Sequence, residues 1–260
     1  MHGFCDLHCH ILYGVDDGAQ TKEEARALID GAYASGTRTI CFTPHYNPLR
    51  ALASAGAEER FASFSAEMKE VYPDLTLCLG AEVLYHQKIA ESLANGACRT
   101  LNGTRFVLIE FLPDDDGAYI VRSLETVTAR GYAPILAHAE RYADFLDHPG
   151  YAFSLAEEDI SIQLNVRSVT GENGKKVKKF CHLLLKHGVV AAIATDAHDP
   201  VLSDAKLDEG YRYVARKFGE EYAHSLFSAM PRSLLRCVPI ASESEDLQNS
   251  VVTPVATSVR

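Results

Sequence analysis

Apolar and polar positions along the chain fall into one repeated order, a helical period followed by an unbroken apolar run. "TKEEARALIDGAYASG" places Ala25, Leu28, Ile29 and Ala32 on one helical face. Thr21 and Glu24 open it with the spacing of a capping box, which satisfies free amides at a helix start, and Gly36 ends it. "TRTICFTPH" follows directly as a β-branched, apolar strand that stops at His45. The order returns twice. "IVRSLETVTARG" predicts a helix closed by Gly131, and "YAPILAHAER" a strand arriving at His138 and Glu140. "KKVKKFCHLLLKHG" predicts a helix ending at Gly188, and "VVAAIATDAH" a nearly all-apolar strand ending at Asp196 and His198.

Strands that lose their polar alternation are covered on both faces, the condition of a parallel sheet built from βα units. "FCDLH", "LTLCLGAE" ending at Glu82, "RFVLIEF" carrying Glu110 and "ISIQLNV" carrying Asn165 bring the strand candidates to seven. An α/β, barrel-like (β/α) array in a single domain over residues 1–240 is the economical architecture, and 260 residues suffice for one core. Its chemistry is expected at the C-terminal ends of the strands, which converge on one mouth. Residues 241–260, "ASESEDLQNSVVTPVATSVR", show no helical period and read as a flexible tail outside the barrel. Residues 50–56, rich in small side chains, read as a loop beside the mouth.

Composition removes several classes of function. A hydrophobic content of 47% and a charged content of 23% are ordinary for a soluble globular protein. No apolar run approaches the roughly 18 residues of a membrane span. The opening "MHGFCDLH" has no signal-peptide character, so a cytoplasmic protein is expected, not one embedded in a membrane. A net charge of -10 without a long Lys/Arg run disfavours nucleic acid as partner. The lysines of "GKKVKKF" read as a solvated helix face. Seven cysteines without a CxxC pair read as reduced, mostly buried thiols. Cys5 and Cys9 are expected to point away from His8 and His10, because side chains alternate along a strand. No cysteine is followed six positions later by arginine, the arrangement of a thiol-based phosphatase loop.

The polar residues at the strand ends then stand out. Five of the eleven histidines, His8, His10, His45, His138 and His198, lie there beside Asp or Glu or next to a strand that carries one. A divalent-metal cluster requires this mixture of neutral imidazoles and carboxylates. His2, His86, His148, His182, His187 and His224 lack such placement and read as surface or structural. Glu82 and Glu110 each follow an apolar run, where a carboxylate without a cation pays a heavy desolvation cost. His8 and His10, two apart on a strand, point the same way and can reach one ion. "GVDDG" then offers Asp16 or Asp17 on a loop that Gly18 lets turn tightly, with Asp17 the preferred ligand.

With "DLHCH", "VDDG", "TPH", "GAE", "IEF", "AHAER" and "TDAH" in that order over residues 4–235, the chain resembles the polymerase-and-histidinol-phosphatase (PHP) family. More narrowly it resembles the bacterial manganese-dependent protein-tyrosine phosphatases of capsule and exopolysaccharide loci. The resemblance implies a distorted (β/α)7 barrel of the TIM-like kind. It implies three divalent ions, manganese first with iron or zinc as alternatives, held by His8, His10, Asp17, His45, Glu82, Glu110, His138, Asp196 and His198. Four carboxylates against six cationic charges leave a positive pocket suited to a phosphate dianion. Arg141, in "AHAER", matches an arginine expected to grip the phosphate, and His45 and His198 are counted with it as catalytic.

The resemblance further implies hydrolysis without a covalent phosphoenzyme. The implied substrate is the tyrosine-rich C-terminal tail of a membrane-bound bacterial tyrosine kinase that controls polysaccharide export. The chain departs from the family where a second arginine often follows the DxH motif. Here the stretch reads "DAHDPVLSDAK", with Lys206 as the nearest substitute cation, without bidentate geometry. Two other readings keep the same residues. One is a histidinol-phosphatase-like phosphomonoesterase for a small molecule, and the other a non-catalytic metal-binding module of an export assembly. The oligomeric state is left open by the sequence.

Overall fold

The computed structural model describes residues 3–48, 56–199 and 206–236. Its strands are β1 (Phe4–Cys9), β2 (Thr37–Phe42), β3 (His45–Tyr46), β4 (Thr76–Leu79), β5 (Glu82–Leu84), β6 (Phe106–Glu110), β7 (Ala133–Leu136), β8 (Ser161–Asn165) and β9 (Ala192–Ala194). Every ladder is parallel. The sheet order is β1-β2-β4 in one segment and β3-β5-β6-β7-β8-β9 in the other. The two segments join end to end, because β3 continues the path of β2 after Pro44, and β5 that of β4 after Gly80. Proline has no N–H for a ladder, so the first break falls where the chemistry requires it. Nine strands thus occupy the seven positions expected from the sequence.

The sheet curls until its two ends meet. Asp196 N donates to His8 O at 2.9 Å and His10 N to Ala197 O at 2.8 Å, which closes a distorted barrel between β1 and the residues after β9. Asp6, 1% exposed, seals this seam, since its carboxylate accepts from Thr195 N at 3.1 Å and from Thr195 Oγ1 at 2.5 Å.

Helices α1 (Lys22–Ala34), α2 (Ala57–Val71), α3 (Ile89–Ala94), α4 (Gly117–Thr128), α5 (Ala143–Asp147), α6 (Gly150–Glu157), α7 (Val166–Thr170), α8 (Lys175–His187), α9 (Asp208–Phe218), α10 (Glu220–His224) and α11 (Met230–Arg236) surround the sheet. The capping box of α1 forms as spaced, with Thr21 and Glu24 exchanging side-chain and backbone bonds, and Ala25, Leu28, Ile29 and Ala32 are the buried face. In α8, Phe180, Cys181, Leu184 and Leu185 face inward while Lys175, Lys176 and Lys179 face solvent. Among the described residues no helix is long and apolar enough to cross a membrane.

The core has an inside and an outside. Leu108, Ile135, Ala137, Cys41, Cys78 and Ala192 come from strands all round the ring and pack together with Leu234 and Leu235 of α11, so this cluster fills the interior. The alternate residues Val107, Ile109, Leu136, Ile162, Leu164 and Ile193 pack outward against the helices. Alternation therefore hands inward positions near the strand ends to polar side chains such as Glu82, Gln163 and Asn165, all buried.

Two expectations change in detail. β7 and β9 stop before His138 and Asp196, which stand on tight turns with φ of 33° and 56°, left-handed values that cost a non-glycine residue strain. Cys5 and Cys9 do not share a face: β1 is irregular between Asp6 and Cys9, so Cys5 joins the interior cluster while Cys9 packs outward with Ile11 and Leu12. The proposed tail, residues 241–260, lies outside the described residues, as does the loop through residue 55.

Candidate metal centre

Eight of the nine candidate ligands fall into three groups whose donor atoms lie within 4.8 Å of one another: His8, His10, Glu82 and Asp196; His10, Asp17, His45 and His198; and His45, Glu82 and Glu110. The first group is the most enclosed, all four members being buried. His8 Nε2 stands 3.3 Å from His10 Nε2, 3.3 Å from Glu82 Oε2 and 3.3 Å from Asp196 Oδ1. His10 Nε2 stands 3.2 Å from Glu82 Oε2 and 3.4 Å from Asp196 Oδ1. Four ligands about 2.0 to 2.1 Å from a tetrahedral ion are separated from one another by about 3.3 to 3.4 Å. Five of the six edges of the cage therefore have the lengths of a metal site. Glu82 Oε2 and Asp196 Oδ1 are also buried without a hydrogen bond, the state expected of atoms whose partner is a cation. The donor set, imidazole and carboxylate without thiolate, fits a divalent ion of the manganese, iron or zinc kind.

The side chains behind the cage hold its imidazoles in the ligating orientation. Asp16 Oδ2 lies 2.8 Å from His10 Nδ1 and 3.0 Å from the backbone N–H of His45, while Asp16 Oδ1 accepts from Gly18 N at 3.0 Å. Gly18 is needed for this turn, because a Cβ there would stand 2.0 Å from His10 O. Gln163 Oε1 lies 3.0 Å from His8 Nδ1, and Gln163 Nε2 donates to Asn165 Oδ1 at 2.8 Å. Asn165 Nδ2 in turn donates to Asp196 Oδ2 at 2.8 Å. His198 Nδ1 donates to Asp196 O at 2.8 Å, and its ring stacks on that of His10 with centroids 4.1 Å apart.

The two aspartates of the loop divide their work. Asp16 faces back to His10 and the backbone, whereas Asp17 Oδ1 turns to the cluster, 3.5 Å from His45 Nε2 and 3.6 Å from His198 Nε2. His45 Nδ1 lies 3.0 Å from Glu110 Oε1 and 3.1 Å from Glu82 Oε2. A neutral imidazole has one lone pair, so His45 can ligate in one of its two groups and donates in the other. His138 joins none of the three groups; its Nε2 lies 2.7 Å from Glu82 Oε1, and its Nδ1 is buried without a partner.

Charge inside the cluster is strongly correlated. Burial would push Glu82 up, but the imidazoles of His8, His10 and His138 hold it well below the usual carboxylate range. Burial opposes a charge on His10 as well, and its hydrogen bond to Asp16 together with the nearby carboxylates of Asp196 and Glu82 keeps it well above an ordinary histidine. His198 goes the other way, lowered by burial and by the neighbouring His10.

Arg141 reaches the site on a turn of 3-10 helix, Ala139–Arg141, and its Nη2 lies 2.6 Å from Asp196 Oδ2. Tyr142 steadies the segment from below, donating to Ala137 O at 3.1 Å and accepting from Phe111 N at 3.2 Å. A cavity of about 160 Å³ opens beside it, lined by Arg141, Asn165, Arg167, Asn173, Thr195, Asp196 and His198. Lys206 is exposed and absent from this lining.

Sequence reasoning missed Gln163, the relay through Asn165, the orienting role of Asp16 and the presence of Arg167. The signal for the first was two polar residues at alternate positions of "ISIQLNV", which put both on the inner face. The six described cysteines are buried, none joins a candidate group, and burial pushes the thiols up, Cys78 to about 11 and Cys98 to about 12. His148 and His182 are engaged elsewhere, with Asp144 and with Tyr213 and Lys217.

A capsular polysaccharide synthesis family, CpsB/CapC, matches residues 4–236. The tyrosine-protein phosphatase CpsB of Streptococcus pneumoniae is 30% identical over 236 residues, 88% of this chain and 97% of that protein. The tyrosine-protein phosphatase YwqE of Bacillus subtilis is 29% identical over 223 residues, 85% of this chain and 87% of that protein. A solved structure from work on YwqE and CpsB, described there as unique metal-dependent tyrosine phosphatases, superposes with a TM-score of 0.80 at 26% identity, covering 94% of this chain and 100% of that one. A histidinol phosphate phosphatase from Lactococcus lactis shares the fold, with a TM-score of 0.53 at 18% identity over 88% of this chain and 98% of that one.

Proposed function

Because this chain belongs to the CpsB/CapC capsular polysaccharide synthesis family, we propose that it is a metal-dependent protein-tyrosine phosphatase, a phosphoric monoester hydrolase. Its substrate in this reading is phosphotyrosine on the C-terminal tail of a bacterial tyrosine kinase that regulates capsule or exopolysaccharide synthesis. The observation that carries the reading is the buried cage of His8, His10, Glu82 and Asp196, in which each imidazole stands 3.2 to 3.4 Å from both carboxylates, beside the guanidinium of Arg141.

The residues that would hold three divalent ions, manganese first, are His8, His10, Asp17, His45, Glu82, Glu110, His138, Asp196 and His198. When bound, such ions supply Lewis acidity, lowering the pKa of water toward neutrality and polarising phosphoryl oxygens. The rest falls to the chain itself. Arg141, with its side chain 49% exposed, presents N–H donors to the phosphoryl oxygens while Asp196 anchors its other edge. His45 and His198, with side chains 23% and 28% exposed, form the substrate-facing side of the cluster, whereas His8 and His10 lie behind them with none. Tyrosine phenolate, with a pKa of about 10, leaves with modest assistance. The six described cysteines are buried, which lends no support to a thiol nucleophile.

The test is a panel of phosphotyrosine peptide, histidinol phosphate and nitrophenyl phosphate, with metal analysis alongside. Chelation is expected to abolish peptide turnover and manganese to restore it. Full activity of a His8→Ala, His10→Ala double variant would overturn the assignment. Preference for histidinol phosphate would move the protein to the small-molecule reading, and no turnover by metal-loaded protein to the binding-module reading.

A further inference from the structure

The cavity beside the candidate metal centre contains two guanidiniums, and only one belongs to the strand-end motifs. We infer that Arg167 is a phosphate-binding residue, the second arginine of a clamp whose other half is Arg141; this rests on the phosphatase reading above.

The placement follows from the fold. β8 ends at Asn165, whose side chain already bonds Asp196, and α7 begins at the next residue. Arg167, one residue further on, therefore stands at the same mouth as the cluster and lines the cavity with Arg141, Asn165 and His198. Its Nε donates to Glu172 Oε2 at 2.9 Å. Glu172 is itself fixed, since its N–H donates to Arg167 O at 2.9 Å and its Oε1 accepts from Thr170 Oγ1 at 3.2 Å. The loop thus bends back on the arginine it follows and orients its guanidinium, much as Asp196 orients that of Arg141 at 2.6 Å.

Charge and donor geometry select the ligand. The cavity, about 160 Å³, has room for a phosphoryl group. Two guanidiniums offer several N–H donors in planar forks, the geometry that suits phosphate oxygens, and Asn173 adds an amide at the same wall. A chain of net charge -10 repels phosphate everywhere except where cations are gathered, so a paired arginine here raises local affinity where the reaction needs it. Arg167 also supplies the planar cation that the stretch "DAHDPVLSDAK" lacks, a role for which the exposed Lys206 is not placed.

The experiment measures binding of inorganic phosphate to metal-loaded protein by calorimetry, with KM and kcat for phosphotyrosine peptide alongside. Arg167→Ala is expected to weaken phosphate binding by about tenfold or more and to raise KM similarly, with metal content unchanged. Arg167→Lys, which keeps the charge and most of the length, is expected to recover part of that loss. It also serves as the variant of record if the alanine form does not fold. Wild-type phosphate affinity in either folded variant, at wild-type metal content, overturns the inference. Because orthophosphate is the probe, the result does not depend on tyrosine specificity. Failure of the peptide assay with the phosphate effect intact would count against the proposed substrate and leave Arg167 assigned.

Discussion

Gln163 and His8, 155 positions apart, meet at 3.0 Å with the amide oxygen of one against Nδ1 of the other. That the atom is oxygen is fixed by the backbone, because the N–H of His138, which can only donate, points to the same atom at 2.9 Å. His8 Nδ1 must then carry a proton, which leaves Nε2, facing Glu82 and Asp196, as the nitrogen that a cation can take in exchange for its proton. A buried, uncharged amide thus decides which nitrogen is available for a cation.

Replacing Gln163 by Leu removes that acceptor and leaves His138 N without its partner. Metal affinity is expected to fall by about 10- to 100-fold, as for other groups that orient a ligating histidine. Manganese titration of the chelator-treated protein, followed by calorimetry, reads the change. Wild-type affinity would show that the tautomer of His8 is set by something else.

Asp16 and Asp17 are adjacent, yet their variants should differ in kind. Asp17→Asn removes an oxygen that faces His45 and His198, so elemental analysis should find fewer ions per chain. Asp16→Asn keeps an acceptor for Gly18 N but weakens the charge behind His10, so stoichiometry should hold while affinity drops by about tenfold. Equal stoichiometry in both variants would remove Asp17 from the ligand set.

Asp6 sets a pH dependence of stability. Burial raises its pKa from 3.8 to about 6, and the hydrogen bond from Thr195 only partly offsets this. The folded state therefore prefers the protonated acid. Its contribution is fully present below the unfolded pKa and is lost as pH rises through about 6, a change on the order of 3 kcal/mol. Asp6→Asn retains an oxygen for Thr195 N and an N–H for Thr195 Oγ1 without ionising. In urea unfolding of the metal-free protein, the variant should gain on the wild type between about pH 4 and about pH 7. A constant difference across that range would contradict the raised pKa.

How much of this was written in the chain depends on the range of the interaction. The face of α1 and its capping box are local, and Thr21, Glu24, Ala25 and Leu28 could be read directly. The strand-end histidines and acids were legible because barrel topology turns a position in sequence into a position in space. Breaks at Pro44 and Gly80 left the seven strand positions unchanged. The partners of Gln163 and Asp6 were not legible, because a polar residue in a strand reads alike whether it meets a histidine, a threonine or water. Arg167 was hidden by a polar run, "NVRSVTGENG", whose fold back toward the cavity depends on the Glu172 contact. Cys5 was misplaced because alternation fails wherever a ladder slips register, as β1 does after Asp6.

The closure of the ring between β1 and the residues after β9 has a consequence for biosynthesis. His8 and His10 lie on one side of that join, Asp196 on the other, and the same cage spans both. A ribosome must therefore emit nearly the whole domain before this cage can capture its cation, and an ion once held there acts as a clasp fastening the first strand to the last. Loss of the cation would loosen the two ends of the chain together, so starvation for metal would be felt as a loss of folded protein as well as of catalysis.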